Sequence, residues 1–187
     1  MQFQPLFSIG VLFYQVDDII ANRVEQLVSS RLNNLELIDN LYTDFYSKNK
    51  VLDIKEVPLL EEEINRGIKF YCQNYNISIP TLQNYWVQDY KEGQHHQKHN
   101  HGDHTISVVY WIRATETSGA FRLDNPNPFN KVMYASADPY DKTPFTNTHS
   151  LVKPIKGGIL MFPSYIEHEV YPSGKNCLRT TLALNYK

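Results

Sequence analysis

The sequence predicts an α+β domain that is mainly β: a β-sandwich or jelly roll buttressed on one side by helices. Two observations predict it. Between about residues 17 and 78 apolar residues recur at helical spacing, and from about Thr81 onward short β-rich runs alternate with turn residues. The chain of 187 residues shows no repeat, low-complexity tract or second boundary. Helices followed by strands in that length describe one domain over 1–187, with helical support over about 17–78 and a β core over about 81–187.

The apolar opening stretch Leu6 to Tyr14 has no basic residue before it and no small-residue cleavage site after it, so it reads as a strand rather than a signal peptide. Asp17 and Asp18 suit a helix start, and Ile20, Val24, Leu27 and Val28 follow on one face. Leu37, Ile38, Leu41, Tyr42 and Phe45 repeat that spacing and predict a second helix. A third is marked by Pro58, by the acidic run Glu61 to Glu63 and by a face of Ile64, Ile68 and Tyr71; it should end near Asn74 to Asn76. The expected strands are Tyr85 to Tyr90, Thr105 to Ile112, Gly119 to Leu123, Val132 to Ala137, Gly158 to Phe162, Glu169 to Tyr171 and Cys177 to Asn185. Two long loops, about Asp124 to Asn130 and Ala137 to Thr148, are rich in Pro, Asn and Asp.

Charge narrows the partners. Lys and Arg number 18 against 20 Asp and Glu, a formal charge of −2, which offers no basic footprint for nucleic acid or an anionic membrane surface. The expected partners are small molecules or proteins. Cys72 and Cys177 are far apart and form no C-x-x-C pair, so the expected compartment is reducing and cytoplasmic. No apolar run approaches the roughly 18 residues of a membrane span.

Chemistry concentrates in the histidines. Of seven, five (His95, His96, His99, His101 and His104) fall between His95 and His104. A solvated polar loop is the bland explanation. The sharper one starts from His99 and His101: residues two apart on an extended strand project to one face and can hold one ion between them, and neutral imidazoles suit iron, zinc, copper and nickel. His168 is the leading third ligand, delivered by the strand and turn Gly158-Ile-Leu-Met-Phe-Pro-Ser164; His149, among Asn147, Thr148 and Ser150, reads as a loop residue. His95 alternates in phase with His99, whereas His96 and His104 read as rim or surface residues. Arg179 lies inside the apolar run Cys177 to Asn185, where a charge is costly unless paired. Its partner is either a ligand carboxylate, with Thr181 adding a hydroxyl from the same face, or a structural acid such as Asp89 or Glu169.

In order and spacing these residues resemble the non-haem iron(II) and 2-oxoglutarate-dependent dioxygenases, in particular the prolyl-hydroxylase-like branch and the small oxygenases of bacteria and phages. The resemblance spans about Asn84 to Asn185. Tyr90-Lys-Glu-Gly93-Gln before His99-x-His101 looks like the family's Tyr-x-x-Gly approach to its His-x-Asp/Glu motif. Ser107 to Ile112 and Ser118 to Leu123 resemble the next two strands. Gly158 to Pro163, His168-Glu-Val-x-Pro172 and Arg179-x-Thr181 look like the distal histidine and the co-substrate anchor.

That resemblance implies a double-stranded β-helix (jelly-roll) core and an enzyme using Fe(II), 2-oxoglutarate and O2 to hydroxylate a C–H bond with release of succinate and CO2. It implies His99 and His168 as iron ligands, Arg179 as partner of the distal 2-oxoglutarate carboxylate, and Thr181 and Tyr110 as hydroxyl donors. The family's carboxylate ligand is replaced here by His101, the expected third ligand; Asp103, in His101-Gly102-Asp103, is the rival. A peptide or protein side chain is the first guess for the substrate. Two other classes compete: a cupin-like metal protein without 2-oxoglutarate chemistry, which has no use for Arg179 and Thr181, and a lapsed structural module.

Overall fold

The computed structural model describes residues 9–127 and 147–187. The expected strand over 132–137 and most of the two long loops lie outside them.

Among the described residues the core is two antiparallel sheets. The larger contains β1 (Leu12–Gln15), β2 (Glu36–Ile38), β3 (Leu41–Thr43), β4 (Leu82–Tyr90), β6 (Ile106–Arg113), β9 (Gly158–Pro163) and β11 (Arg179–Tyr186), ordered β1-β9-β6-β11-β4-β3-β2. The smaller contains β5 (His96–His99), β7 (Phe121–Asp124), β8 (His149–Val152) and β10 (His168–Val170), ordered β5-β10-β7-β8. This is the expected jelly roll, with two helices, α1 (Asp18–Ser29) and α2 (Pro58–Tyr75), laid on the outer face of the larger sheet.

Local chemistry sets the helix ends. The Asp17 carboxylate accepts from Ile19 N at 2.8 Å and caps α1, which buries Ala21, Val24 and Val28. Pro58 opens α2 where its missing N–H costs nothing, and Asn76 closes it at φ 53°, a left-handed cap. No helix among the described residues is long and apolar enough to cross a membrane.

One expected element is wrong in kind. The periodic residues Leu37 to Phe45 form no helix; they make the hairpin β2–β3, joined by Asp39 and Asn40 at φ 47° and 68°. Two successive left-handed residues twist a two-residue loop to match the strands, and Asp and Asn tolerate that conformation best among side chains with a Cβ. The turn chemistry outweighed an apolar spacing too short to decide between helix and strand.

Strand alternation divides the core in two. Ile106, Val108, Tyr110 and Ile112 of β6, with Leu182, Leu184 and Tyr186 of β11, pack against α1 and α2. Val109 and Trp111 of β6 face the smaller sheet with Leu160 and Phe162 of β9, and meet Phe121 and Leu123 of β7 there. The smaller sheet is held close at Gly119, where a Cβ would lie 1.8 Å from the Tyr171 carbonyl oxygen. Gly119→Ala should therefore force β7 and β10 apart and cost about 1–3 kcal/mol, the range for overpacking a tight site. An unchanged urea midpoint in the variant would contradict this packing.

Candidate metal centre

β10 lies between β5 and β7, and its register sets His168 directly across from His99 and Leu123. His99 ends β5. His101 follows in a turn whose backbone is tied to the end of β9: His101 N donates to Ser164 O at 2.8 Å and His104 N to His101 O at 2.9 Å. The ring centroids of His99 and His168 are 4.3 Å apart, with His101 5.1 Å from His99 and 5.2 Å from His168. One ligand atom from each of the three lies within 4.8 Å of the others.

Two of the rings are oriented by the backbone. His99 Nδ1 is 2.7 Å from Gln97 O and His168 Nδ1 is 2.9 Å from Ile166 O. A carbonyl can only accept, so both Nδ1 atoms carry the proton and both Nε2 lone pairs are left for an ion. Phe121 stacks on His168 and Phe162 meets it edge on. Burial, followed by its histidine neighbours, holds His168 down at about 3 and His101 at about 4; burial also lowers His99, against the pull of the Gln97 carbonyl. All three are neutral imidazoles at neutral pH, the form that ligates metal. The donor set fits a divalent transition metal.

The same pocket contains Arg179 and Thr181, reached by the alternation of β11. Arg179 is 1% exposed, and none of its three guanidinium nitrogens has a hydrogen-bond partner. Its guanidinium lies over the Tyr90 ring at 4.3 Å, and Tyr90 is the main group that offsets the effect of burial on it. Burial lowers its pKa. The acids considered as structural partners are engaged elsewhere: Asp89 with Lys91, Arg113 and Thr180, and Glu169 with Arg122. The Tyr90-x-x-Gly93 turn frames this end, with Gly93 at φ 75° donating to Ser173 O and Ser173 N returning a bond to Gln94 O.

Other expected residues are placed differently. Tyr110 is fully buried among the helix-facing residues and is not among the residues lining the pocket of the histidines. Of this strand Ser107, Val108 and Val109 line the pocket, whereas Tyr110 packs with Ile106 and Ile112 toward the helices. Asp103 is exposed and lies outside the triad. His149 begins β8, paired with Asp124 and away from the triad. His95 and His96 exchange roles: His95 is exposed, while His96 lines the pocket and stacks on His99 at 4.2 Å. An irregular register between His168 and Val170, with Val170 opposite His96, turns residues three apart to one side. No sequence signal announces that bulge.

Comparison with known proteins identifies the family and the fold. A sequence model of the family described as "Putative 2OG-Fe(II) oxygenase" matches residues 84–185. No curated protein sequence matches the chain. Among solved structures, a 2OG-Fe(II) oxygenase family oxidoreductase from Burkholderia pseudomallei aligns with TM-score 0.67 at 14% identity, covering 95% of this chain and 84% of its own. A Trichoplax adhaerens prolyl hydroxylase, in complex with a peptide of a hypoxia inducible factor, aligns with TM-score 0.65 at 16% identity over 96% and 84%. A non-haem α-ketoglutarate-dependent epimerase of nogalamycin biosynthesis aligns with TM-score 0.69 at 10% identity over 96% and 78%.

A buried guanidinium without a hydrogen-bond partner is a burden on the fold, since leaving buried donors unsatisfied costs about 1–3 kcal/mol and more when they are charged. Arg179→Met, whose side chain reaches as far as the arginine Nε and carries no charge, should raise the apo-protein's stability by about 1–3 kcal/mol in urea. A loss of stability would mean that Arg179 has a structural partner.

Proposed function

We propose that this chain, which belongs to the 2-oxoglutarate- and iron(II)-dependent oxygenase family, holds its iron through His99, His101 and His168 and hydroxylates a C–H bond of a peptide or protein side chain. Arg179 carries the reading. A buried guanidinium with three unpartnered nitrogens, in the pocket of the triad, calls for an anion that enters and leaves. The distal carboxylate of 2-oxoglutarate supplies one, held bidentately by Arg179 and within the reach of the Thr181 hydroxyl. A cupin-like metal protein gives this pair nothing to do.

The bound iron supplies the activation of dioxygen, with 2-oxoglutarate oxidised to succinate and CO2 as one oxygen atom enters the substrate. The chain's own share is binding and orientation. The carbonyls of Gln97 and Ile166 keep two imidazoles aimed at one point. Phe121, Phe162 and Val170 keep the surroundings of His168 dry. Arg179 fixes which end of the co-substrate faces the triad. The peptide substrate is supported by the prolyl hydroxylase neighbour, which is bound to a peptide.

Anaerobic titration of the apo-protein with iron(II) and then 2-oxoglutarate tests the reading: a visible metal-to-ligand charge-transfer band should appear only with both. His99→Ala and His168→Ala should each abolish stoichiometric iron binding with the fold intact by circular dichroism, while Asp103→Ala leaves it unchanged. Iron loss in Asp103→Ala with retention in His101→Ala would instead make Asp103 the ligand. Arg179→Ala should weaken 2-oxoglutarate by about 2–5 kcal/mol, the scale for truncating one partner of a buried charge pair, with a far smaller effect on iron. Equal losses of both would make Arg179 structural.

A further inference from the structure

The pocket has a second end with its own unmet hydrogen bonds. Trp86, 4% exposed, lines the pocket with its ring 6.0 Å from His101, and its indole Nε1 has no partner. Two residues earlier on the same face of β4, Asn84 Oδ1 is buried and also unpartnered. An indole N–H only donates and a carbonyl oxygen only accepts, so this face of β4 carries one unpartnered donor lining the pocket and, about 7 Å along the strand, one unpartnered acceptor on the residue paired with the pocket-lining Asn185.

The surroundings restrict what can answer them. Phe45 meets Trp86 edge on at 4.8 Å, and Tyr46 meets Phe45 in the same way at 4.8 Å. Phe45 is 39% and Tyr46 74% exposed, so the three rings form an aromatic ramp from solvent to the triad. Arg179 is the one formal charge among the described residues lining the pocket, apart from the histidines. It sits opposite Tyr90 on β4, four residues from Trp86, about 13 Å along the strand. The charges nearest Trp86 outside the lining, Asp44 and Lys50, are engaged by backbone: Asp44 Oδ1 accepts from Val87 N at 2.7 Å, and Lys50 Nζ donates to the carbonyls of Asp44 and Phe45.

A neutral group that both accepts and donates is an amide. We infer that Trp86 and Asn84 bind an uncharged amide of the primary substrate, with the ramp Tyr46-Phe45-Trp86 covering the apolar side chain beside it. The substrate thus approaches the triad from the side away from Arg179. This inference rests on the oxygenase reading above and adds to it the residues that select the substrate.

The test uses the protein with iron(II) and 2-oxoglutarate under anaerobic conditions, where the charge-transfer band by itself reports on the oxygenase reading. Four capped tripeptides are then titrated: acetyl-Ala-Xaa-Ala-amide with Xaa as Pro, Leu, Lys or Glu. The shift of the band and the intrinsic tryptophan fluorescence are both followed. The Pro and Leu probes should bind saturably and at least tenfold more tightly than the Lys and Glu probes. Trp86→Phe keeps an aromatic ring and removes the donor, and Asn84→Leu keeps the branched shape and removes the acceptor. Each should weaken the neutral probes about tenfold while the band formed with 2-oxoglutarate remains. The inference is overturned by neutral probes that do not bind, by equal binding of charged and neutral probes, or by variants that bind as the wild type does. Absence of the band in the wild type is the failure of the other reading, and the fluorescence titration then still decides this one.

Discussion

β11 is hydrogen-bonded along its length on both sides, to β4 from Arg179 to Tyr186 and to β6 from Thr180 to Tyr186. Its alternation therefore cannot slip by one residue without exchanging two incompatible sets of side chains. Leu182, Leu184 and Tyr186 face the helices, whereas Arg179, Thr181, Ala183 and Asn185 face the pocket. The same strand closes one core and floors the other. The jelly roll uses that double duty to bring a cation, a hydroxyl and a small residue into line opposite the histidines, with no loop needed to deliver them.

The cost of that placement is visible in how the other charges are arranged. Asp89, 2% exposed, is opposite Thr180 and binds Lys91, Arg113 and the Thr180 hydroxyl, so it spans β4, β11 and β6 at the level of Arg179. It lies on the other face of the sheet, where a satisfied charge network rigidifies three strands. Arg179 has no such network. A fold that saturates one buried charge and leaves its neighbour on the strand bare separates support from function, as expected where stability is given up for binding.

The sequence was most readable where chemistry repeats at short range. Asp17, Pro58 and Asn76 marked the helix ends, and the glycine, histidine and arginine motifs from Tyr90 to Thr181 located the pocket. It was least readable where tertiary pairing decides. The hairpin β2–β3 carried its sign in Asp39-Asn40, which the apolar spacing around it concealed. The face of Tyr110 was not legible, because Ile106 to Ile112 is apolar on both sides of the strand and only the packing shows Tyr110 turned toward the helices. The inward turn of His96 depends on a bulge opposite Val170, and Trp86 looked like any core aromatic until its neighbours were known. Arg179 was ambiguous for a related reason: only the structure shows Asp89 and Glu169 already engaged by other cations.

Charge at the centre ties the two ends of the pocket together. With His101 in the position where the family usually has a carboxylate, the triad contributes no negative charge, and no Asp or Glu is found among the described residues lining the pocket. A divalent ion there and the guanidinium of Arg179 together present three positive charges in a space of low dielectric, and the ion's own charge has to be counted. A dianion such as 2-oxoglutarate offsets two of them and bridges both sites at once, so each should strengthen the hold of the other on it. The one unit left over falls at the metal end, where a carboxylate ligand would otherwise cancel it. A cationic substrate is therefore repelled from the triad by the same missing carboxylate, and an anionic one would compete with the co-substrate for Arg179. The aromatic, uncharged wall at Trp86 is the surface that such a field leaves for a neutral substrate.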